Sequence, residues 1–253
     1  MRRFHLFEFG DQKWFPKVLR DAETGYLAAA YRTVPLPRLW AEKISTLFRD
    51  GEPGEVLDLC SGSAGPLPLI LKELDARGFQ VRARLTDLFP NLESAGHSSI
   101  SWVAEPVDAT NVPPTLTGVR TVFAAFHHFG PDKAKAILRT AFDSGHAICV
   151  FEGGSRTLLG IATMLLVPLN VLALMPFVRP FRWRYLLFTY LIPVVPVVLL
   201  WDGIVSTLRI YSPKQMLQMT DDLRRPHYLW EIGLIPMRGS PGGFPYLIGR
   251  PIA

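Results

Sequence analysis

Between Glu55 and Phe151 short apolar runs alternate with stretches whose apolar residues recur every three or four positions, the periods of buried strands and amphipathic helices. The pattern predicts strands at 55–60, 80–86, near 100–103, 119–126 and 146–151, and helices at 66–77, closed by Gly78, and 132–142. Such alternation implies right-handed crossovers and a mostly parallel sheet, with ligands at the strand C-termini. After Arg156 the grammar breaks: Thr157–Val178 is 22 residues without a charge, and Tyr185–Trp201 is another 17. It resumes with a helix at 213–224, introduced by Ser212-Pro213, and with strand-like runs at 228–232 and 244–248 around a turn at Gly239–Gly243. The fold class is therefore α/β with an inserted apolar helical hairpin. Residues 51–156 and 202–253 make the α/β domain and 157–201 the insert, while 1–50, with Phe4, Phe7, Trp14 and Trp40 among charges, form a helical brace or lid.

A chain of 253 residues with 49% hydrophobic content suits one large core carrying an insertion better than two independent domains. The net charge of +5 raises nucleic acid as a partner, but the basic residues are scattered. Their tightest group, Arg179, Arg182 and Arg184, lies between the two apolar stretches, which selects membrane lipid headgroups and no nucleic acid. Cys60 and Cys149 are too few and too central for a disulfide framework and read as reduced core residues. The N-terminal residues contain no sustained apolar run, so the expected arrangement is membrane-associated with the α/β domain facing the cytoplasm. No metal site is expected, because His127 and His128 are adjacent and no other His, Cys, Asp or Glu group has ligand spacing.

The strand at 55–60 runs into Ser61-Gly62-Ser63-Ala64-Gly65 and then a helix opened by Pro66. Small residues there let backbone N–H groups approach a nucleotide-like ligand at a helix N-terminus. Asp87 ends the second strand, 29 residues after Asp58, where a carboxylate accepts hydrogen bonds from both hydroxyls of a ribose. Asp108 follows the third strand, where it meets the exocyclic amine of an adenine. Three carboxylates repel a pyrophosphate and favour a cation.

Taken together, Val56–Gly65, Asp87, Asp108 and Phe126-His127-His128-Phe129 resemble the motifs of class I S-adenosylmethionine-dependent methyltransferases. The resemblance covers residues 50–155 and the C-terminal strands. It implies a Rossmann-like seven-stranded sheet with helices on both faces and an antiparallel hairpin at its end, and S-adenosyl-L-methionine as cofactor. By position it implies Asp58, Cys60, Ser61, Gly62 and Gly65 at the methionine part, Asp87 with Leu88 at the ribose, Asp108 with Ala109 at the adenine, and Phe126 beside the cofactor. Cys60 and Ala64 stand where the family usually has glycine, and Cys60 is expected to fit by keeping a negative φ.

Methyl transfer from a sulfonium is an in-line displacement, so the protein aligns, desolvates and sometimes removes a proton. His127 and His128, after the fourth strand, offer an imidazole base, with packing the equal alternative and one of the pair expected to be structural. Glu152 ends the fifth strand beside two glycines, near an acceptor, or else caps a helix or is solvated. The first apolar stretch reaches the roughly 20 residues of a spanning helix and the second, with prolines in both, is marginal. The hairpin either spans, translocating its arginines, or dips into one leaflet; a soluble core or dimer interface is the third reading. Its place after the fifth strand suggests delivery of a small lipophilic acceptor. The expected function is a membrane-associated methyltransferase acting on a small apolar or lipid-like acceptor. The alternatives are a non-catalytic membrane adaptor that keeps the fold, and a nicotinamide-dependent oxidoreductase, against which stand the missing Gly-x-Gly-x-x-Gly and Tyr-x-x-x-Lys patterns.

Overall fold

The computed structural model describes residues 1–90, 98–237 and 240–252. In chain order the elements are α1 (Lys17–Tyr31), α2 (Leu36–Ser45), β1 (Gly54–Leu59), α3 (Leu67–Asp75), β2 (Val81–Thr86), β3 (Ile100–Trp102), β4 (Val119–Phe123), α4 (Pro131–Asp143) and β5 (Ile148–Phe151). They continue with α5 (Leu158–Met164), α6 (Val167–Leu174), α7 (Trp183–Leu186), α8 (Val194–Arg209), α9 (Pro213–Met219), β6 (Tyr228–Met237) and β7 (Ser240–Pro251). The chain divides into two compact units.

The sheet unit comprises Leu36–Gly153, Tyr211–Ile235 and the residues from Phe244 onward. Its seven strands run in the order β3-β2-β1-β4-β5-β7-β6. The pairs from β3 to β5 are parallel, and β7 lies antiparallel to β5 with Phe151 opposite Tyr246. Alternation along the strands divides the core between two faces. Val122 and Val150 pack with Ala134, Ile137, Leu138 and Ala141 of α4 on one face. On the other, the Trp40 indole of α2 stacks on Phe123 and Phe151 at 5.6 and 5.8 Å, wholly buried. α2 therefore belongs with the sheet rather than with the N-terminal residues preceding it.

Several predicted boundaries move, each for a local reason. β4 stops at Phe123 instead of residue 126, because Ala124 turns to a φ of +47° and Phe126–His128 wind into a 3₁₀ turn. β5 starts at Ile148 rather than 146, since the His146 N–H is spent on the Ala141 carbonyl closing α4 across Gly145. α9 ends at Met219, five residues early, where Thr220 caps it and turns its hydroxyl onto the Leu217 carbonyl. The last two strands are longer than expected, Tyr228–Met237 and Ser240–Pro251. The turn expected at 239–243 begins at Gly239, outside the described residues.

The other unit comprises Met1–Pro35, Gly154–Ile210 and Pro236–Gly243. Its core joins Ala22, Tyr26 and Ala29 of α1 to Val171, Met175, Val178, Tyr185, Val195 and Leu199. The Tyr26 hydroxyl donates to Asn170 Oδ1 at 2.9 Å. Leu158–Phe177 forms one 20-residue apolar helical run with a mean hydropathy of 2.3, only 11% of it buried. The second apolar stretch is broken at Ile192–Pro193, where Trp183–Leu191 and Val194–Arg209 meet at 80°. The prolines thus act unequally: Pro193 accompanies a sharp bend, whereas Pro168 sits in the first turn of α6, a position that tolerates a missing N–H.

Candidate active site

The loop after β1 is built from bonds that the sequence reading only half foresees. Asp58, one residue from the end of β1, is buried and faces Thr121 across the β1–β4 register. The Thr121 hydroxyl donates to Asp58 Oδ1 at 2.6 Å, and the Ser61 and Thr86 hydroxyls both donate to the Asp58 carbonyl at 2.8 Å. Burial, with a smaller push from Asp87, raises the Asp58 carboxyl from its ordinary range to about 7. The Gly62 N–H donates to Asp87 Oδ2 and the Phe89 N–H to Asp87 Oδ1, both at 2.9 Å. One carboxylate thereby ties the loop after β1 to the turn after β2.

The backbone corrects one expectation. Cys60 has a φ of +58°, not a negative one, and Ala64 has +71°. Glycine is favoured at such positions because a Cβ there crowds the carbonyl that follows. With Ala124 at +47°, these are the only non-glycine residues of positive φ among the described residues. All three sit just beyond the C-terminal ends of β1 and β4. Strain of about 1–2 kcal/mol at each is tolerated where surrounding structure enforces it, and it gathers at functional sites.

The Cys60 thiol is pushed well up, first by burial and then by the charges of Asp87, Asp58 and Asp108. It stays protonated at neutral pH and is no nucleophile. Asp108 is held below the usual carboxylate range by the Thr110 N–H and hydroxyl, each 2.8 Å from Oδ1. Ala109 beside it is buried, and Leu88 is exposed. Phe126 is wholly buried in the core beside α4, edge-on to Tyr211 at 5.6 Å.

The second cluster stands beyond β4 and β5. His127 Nδ1 lies 2.7 Å from Glu152 Oε2, and both side chains are buried. Glu152 is fixed at the end of β5 by its N–H donating to the Pro245 carbonyl at 3.1 Å. The His128 ring lies against that of His127, centroids 4.3 Å apart. The structure joins His127 and Glu152 into one dyad, a pairing that the sequence reading treats as two separate residues. Sequence reasoning also misses Thr121, whose one signal is a lone hydroxyl among the apolar residues of β4, and Tyr211, whose hydroxyl donates to the Phe129 carbonyl at 2.7 Å.

No protein-family model matches the chain, and no curated protein matches it in sequence. Solved structures do match. The plantazolicin methyltransferase BpumL in complex with SAH aligns with a TM-score of 0.53 over 94% of this chain and 98% of that one, at 10% identity. BpumL with a monoazolic desmethylPZN analog and SAH gives 0.52 at 11% identity, with the same coverage. With a triazolic analog and SAH it gives 0.50 at 13% identity, over 92% and 99% of the two chains. The chain shares its fold with these solved structures.

Proposed function

We propose that the chain is an S-adenosylmethionine-dependent methyltransferase, held at a membrane with its sheet unit on the cytoplasmic side, that methylates a small lipophilic acceptor. The observation that carries this reading is the Asp87 carboxylate tying the loop after β1 to the turn after β2 through the Gly62 and Phe89 N–H groups, beside Asp58 and the positive-φ backbone of Cys60 and Ala64. A cationic sulfur nucleoside suits such a cradle, whereas a diphosphate does not. The structural likeness to a methyltransferase holding SAH supports the same cofactor here.

When bound, the cofactor supplies the electrophilic methyl group, and the chain supplies position and proton handling. Asp58 and the loop from Cys60 to Gly65 would hold the methionine portion, Asp87 the ribose and Asp108 with Ala109 the adenine. His127 Nδ1 and Glu152 Oε2 form a buried hydrogen-bonded pair at 2.7 Å, which orients the imidazole for proton transfer. In this reading the His127 imidazole takes the proton leaving an acceptor hydroxyl or amine as the acceptor's lone pair attacks, and the neighbouring buried carboxylate stabilises the imidazolium that results. His128 lies against the His127 ring, tilted by 32°. The lipophilic acceptor is supported by the insert, which leaves the sheet unit immediately after Glu152-Gly153.

Titration calorimetry with S-adenosylmethionine and with SAH tests the cofactor. Heat with both compounds, weakened in Asp87→Ala, is expected, and silence with both refutes the assignment. Transfer of labelled methyl into a lipid extract tests the acceptor class.

A further inference from the structure

The insert leaves the sheet unit after Gly153 and re-enters it at Tyr211, both within one compact body that holds β5 and α9. It must therefore cross a bilayer an even number of times. Leu158–Phe177, 20 residues or about 30 Å of helix, is long enough for one crossing. The return limb is not.

From Trp201 onward α8 is sheathed in polar contacts. The Trp201 indole donates to the Phe7 carbonyl at 3.0 Å, and Asp202 accepts the Phe9 and Gly10 N–H groups at 2.8 and 2.9 Å. Arg209 pairs with Glu8 at 2.8 Å and Asp11 at 2.9 Å. These charges exclude hydrocarbon from that half of the helix. What remains is Trp183–Leu191, about 14 Å, and the first turns of α8, about 10 Å, joined at 80°. Their combined reach is about 20 Å, against about 30 Å of hydrocarbon. With one competent limb and an even number required, the number of crossings is zero.

The outer surface says what the insert lies on. Leu158, Leu165, Leu166, Leu169, Phe177 and Leu191 are each more than 60% exposed. The only formal charges between 157 and 201 are Arg179, Arg182 and Arg184, all positive, next to exposed Phe181 and Trp183. Arg182 also reaches Asp21 of α1 at 3.1 Å, which keeps a charged helix beside the turn between the limbs. Arginine and aromatic side chains flanking exposed leucines are the composition of an interfacial element.

Resting on the membrane reading above, we infer that residues 157–201 seat the protein on one leaflet of an anionic bilayer without crossing it, with Arg179, Arg182 and Arg184 at the lipid phosphates. The test uses the full chain carrying Phe181→Cys, labelled with a nitrobenzoxadiazole maleimide and added to preformed vesicles of phosphatidylcholine and phosphatidylglycerol. The parent chain treated identically sets the baseline for Cys60 and Cys149. Flotation with the vesicles, followed by full loss of fluorescence to externally added dithionite, is expected. Flotation with the label protected from dithionite overturns the one-leaflet seat and leaves membrane binding standing. No flotation overturns the membrane reading itself. Trp183→Cys repeats the measurement should Phe181→Cys fail to fold. Replacing all three arginines with alanine should weaken binding to the anionic vesicles at least 10-fold and leave phosphatidylcholine binding unchanged. Equal binding by the triple variant overturns the headgroup contact.

Discussion

Replacing Asp58 with asparagine tests the physics of the site without requiring turnover. The wild-type carboxyl is fully enclosed, has one short bond from Thr121, and is raised by burial from about 3.8 to about 7. The folded protein therefore holds this proton more tightly than the unfolded chain. Its contribution to stability is fully present below the unfolded pKa and is lost as pH rises through the folded one. With those two values, linkage gives a loss of about 2–3 kcal/mol between pH 5 and pH 8. Asparagine keeps the shape and the acceptor for Thr121 and does not titrate. Urea unfolding of the ligand-free proteins should show the wild-type midpoint falling by about 1 M relative to Asp58→Asn over that range. The same proton predicts a difference between ligands. A sulfonium favours the ionised acid, so affinity for S-adenosylmethionine should rise with pH up to about 7 in the wild type. Affinity for SAH, whose sulfur is neutral, should change far less. Parallel pH profiles for wild type and Asp58→Asn, in both stability and ligand affinity, would refute the reasoning.

Glu152→Gln should lower kcat by about 10²- to 10⁴-fold and alter its pH profile, with the cofactor Kd within twofold of wild type, measured by steady-state kinetics and calorimetry. Asp87→Ala strips the acceptor from the Gly62 and Phe89 N–H groups and should weaken S-adenosylmethionine and SAH binding alike by at least 10-fold. At Cys60, glycine relieves about 1–2 kcal/mol of left-handed strain and concedes about 0.5–1 kcal/mol of unfolded-chain entropy. Cys60→Gly should therefore unfold no lower than wild type in a thermal scan, while Cys60→Val, branched at a φ of +58°, should unfold several degrees lower.

The parts of this architecture that follow from short-range chemistry are readable from residues alone. Alternating periods mark β1 to β5 and their helices, and Asp58, Asp87 and Asp108 stand out as acids at or after the ends of the predicted strands, where the ligands of a parallel sheet gather. What escapes is whatever depends on register or on a partner distant in sequence. Thr121 meets Asp58 only because β4 pairs with β1 at that offset. His127 meets Glu152 only because β4 and β5 end level, with Phe123 opposite Phe151. The sign of φ at Cys60 is invisible in residue type, since cysteine has no preference for that basin, and it is imposed by the bonds from Ser61 and Thr86 that draw the loop back over β2. The bend at Ile192–Pro193 is different again: four prolines stand in the apolar stretches, and residue type alone does not mark the one at which the 80° bend falls.

The place of β7 bears on how the molecule is made. It fills the slot between β5 and β6, so the facing edges of both strands lack a lateral partner until the stretch beginning at Phe244 leaves the ribosome. Synthesis is vectorial, and the greasy limbs emerge well before that stretch does. The nascent chain thus exposes its apolar limbs while β5 is still an open edge, so the intermediate presents both an unpaired strand and a leucine-rich surface.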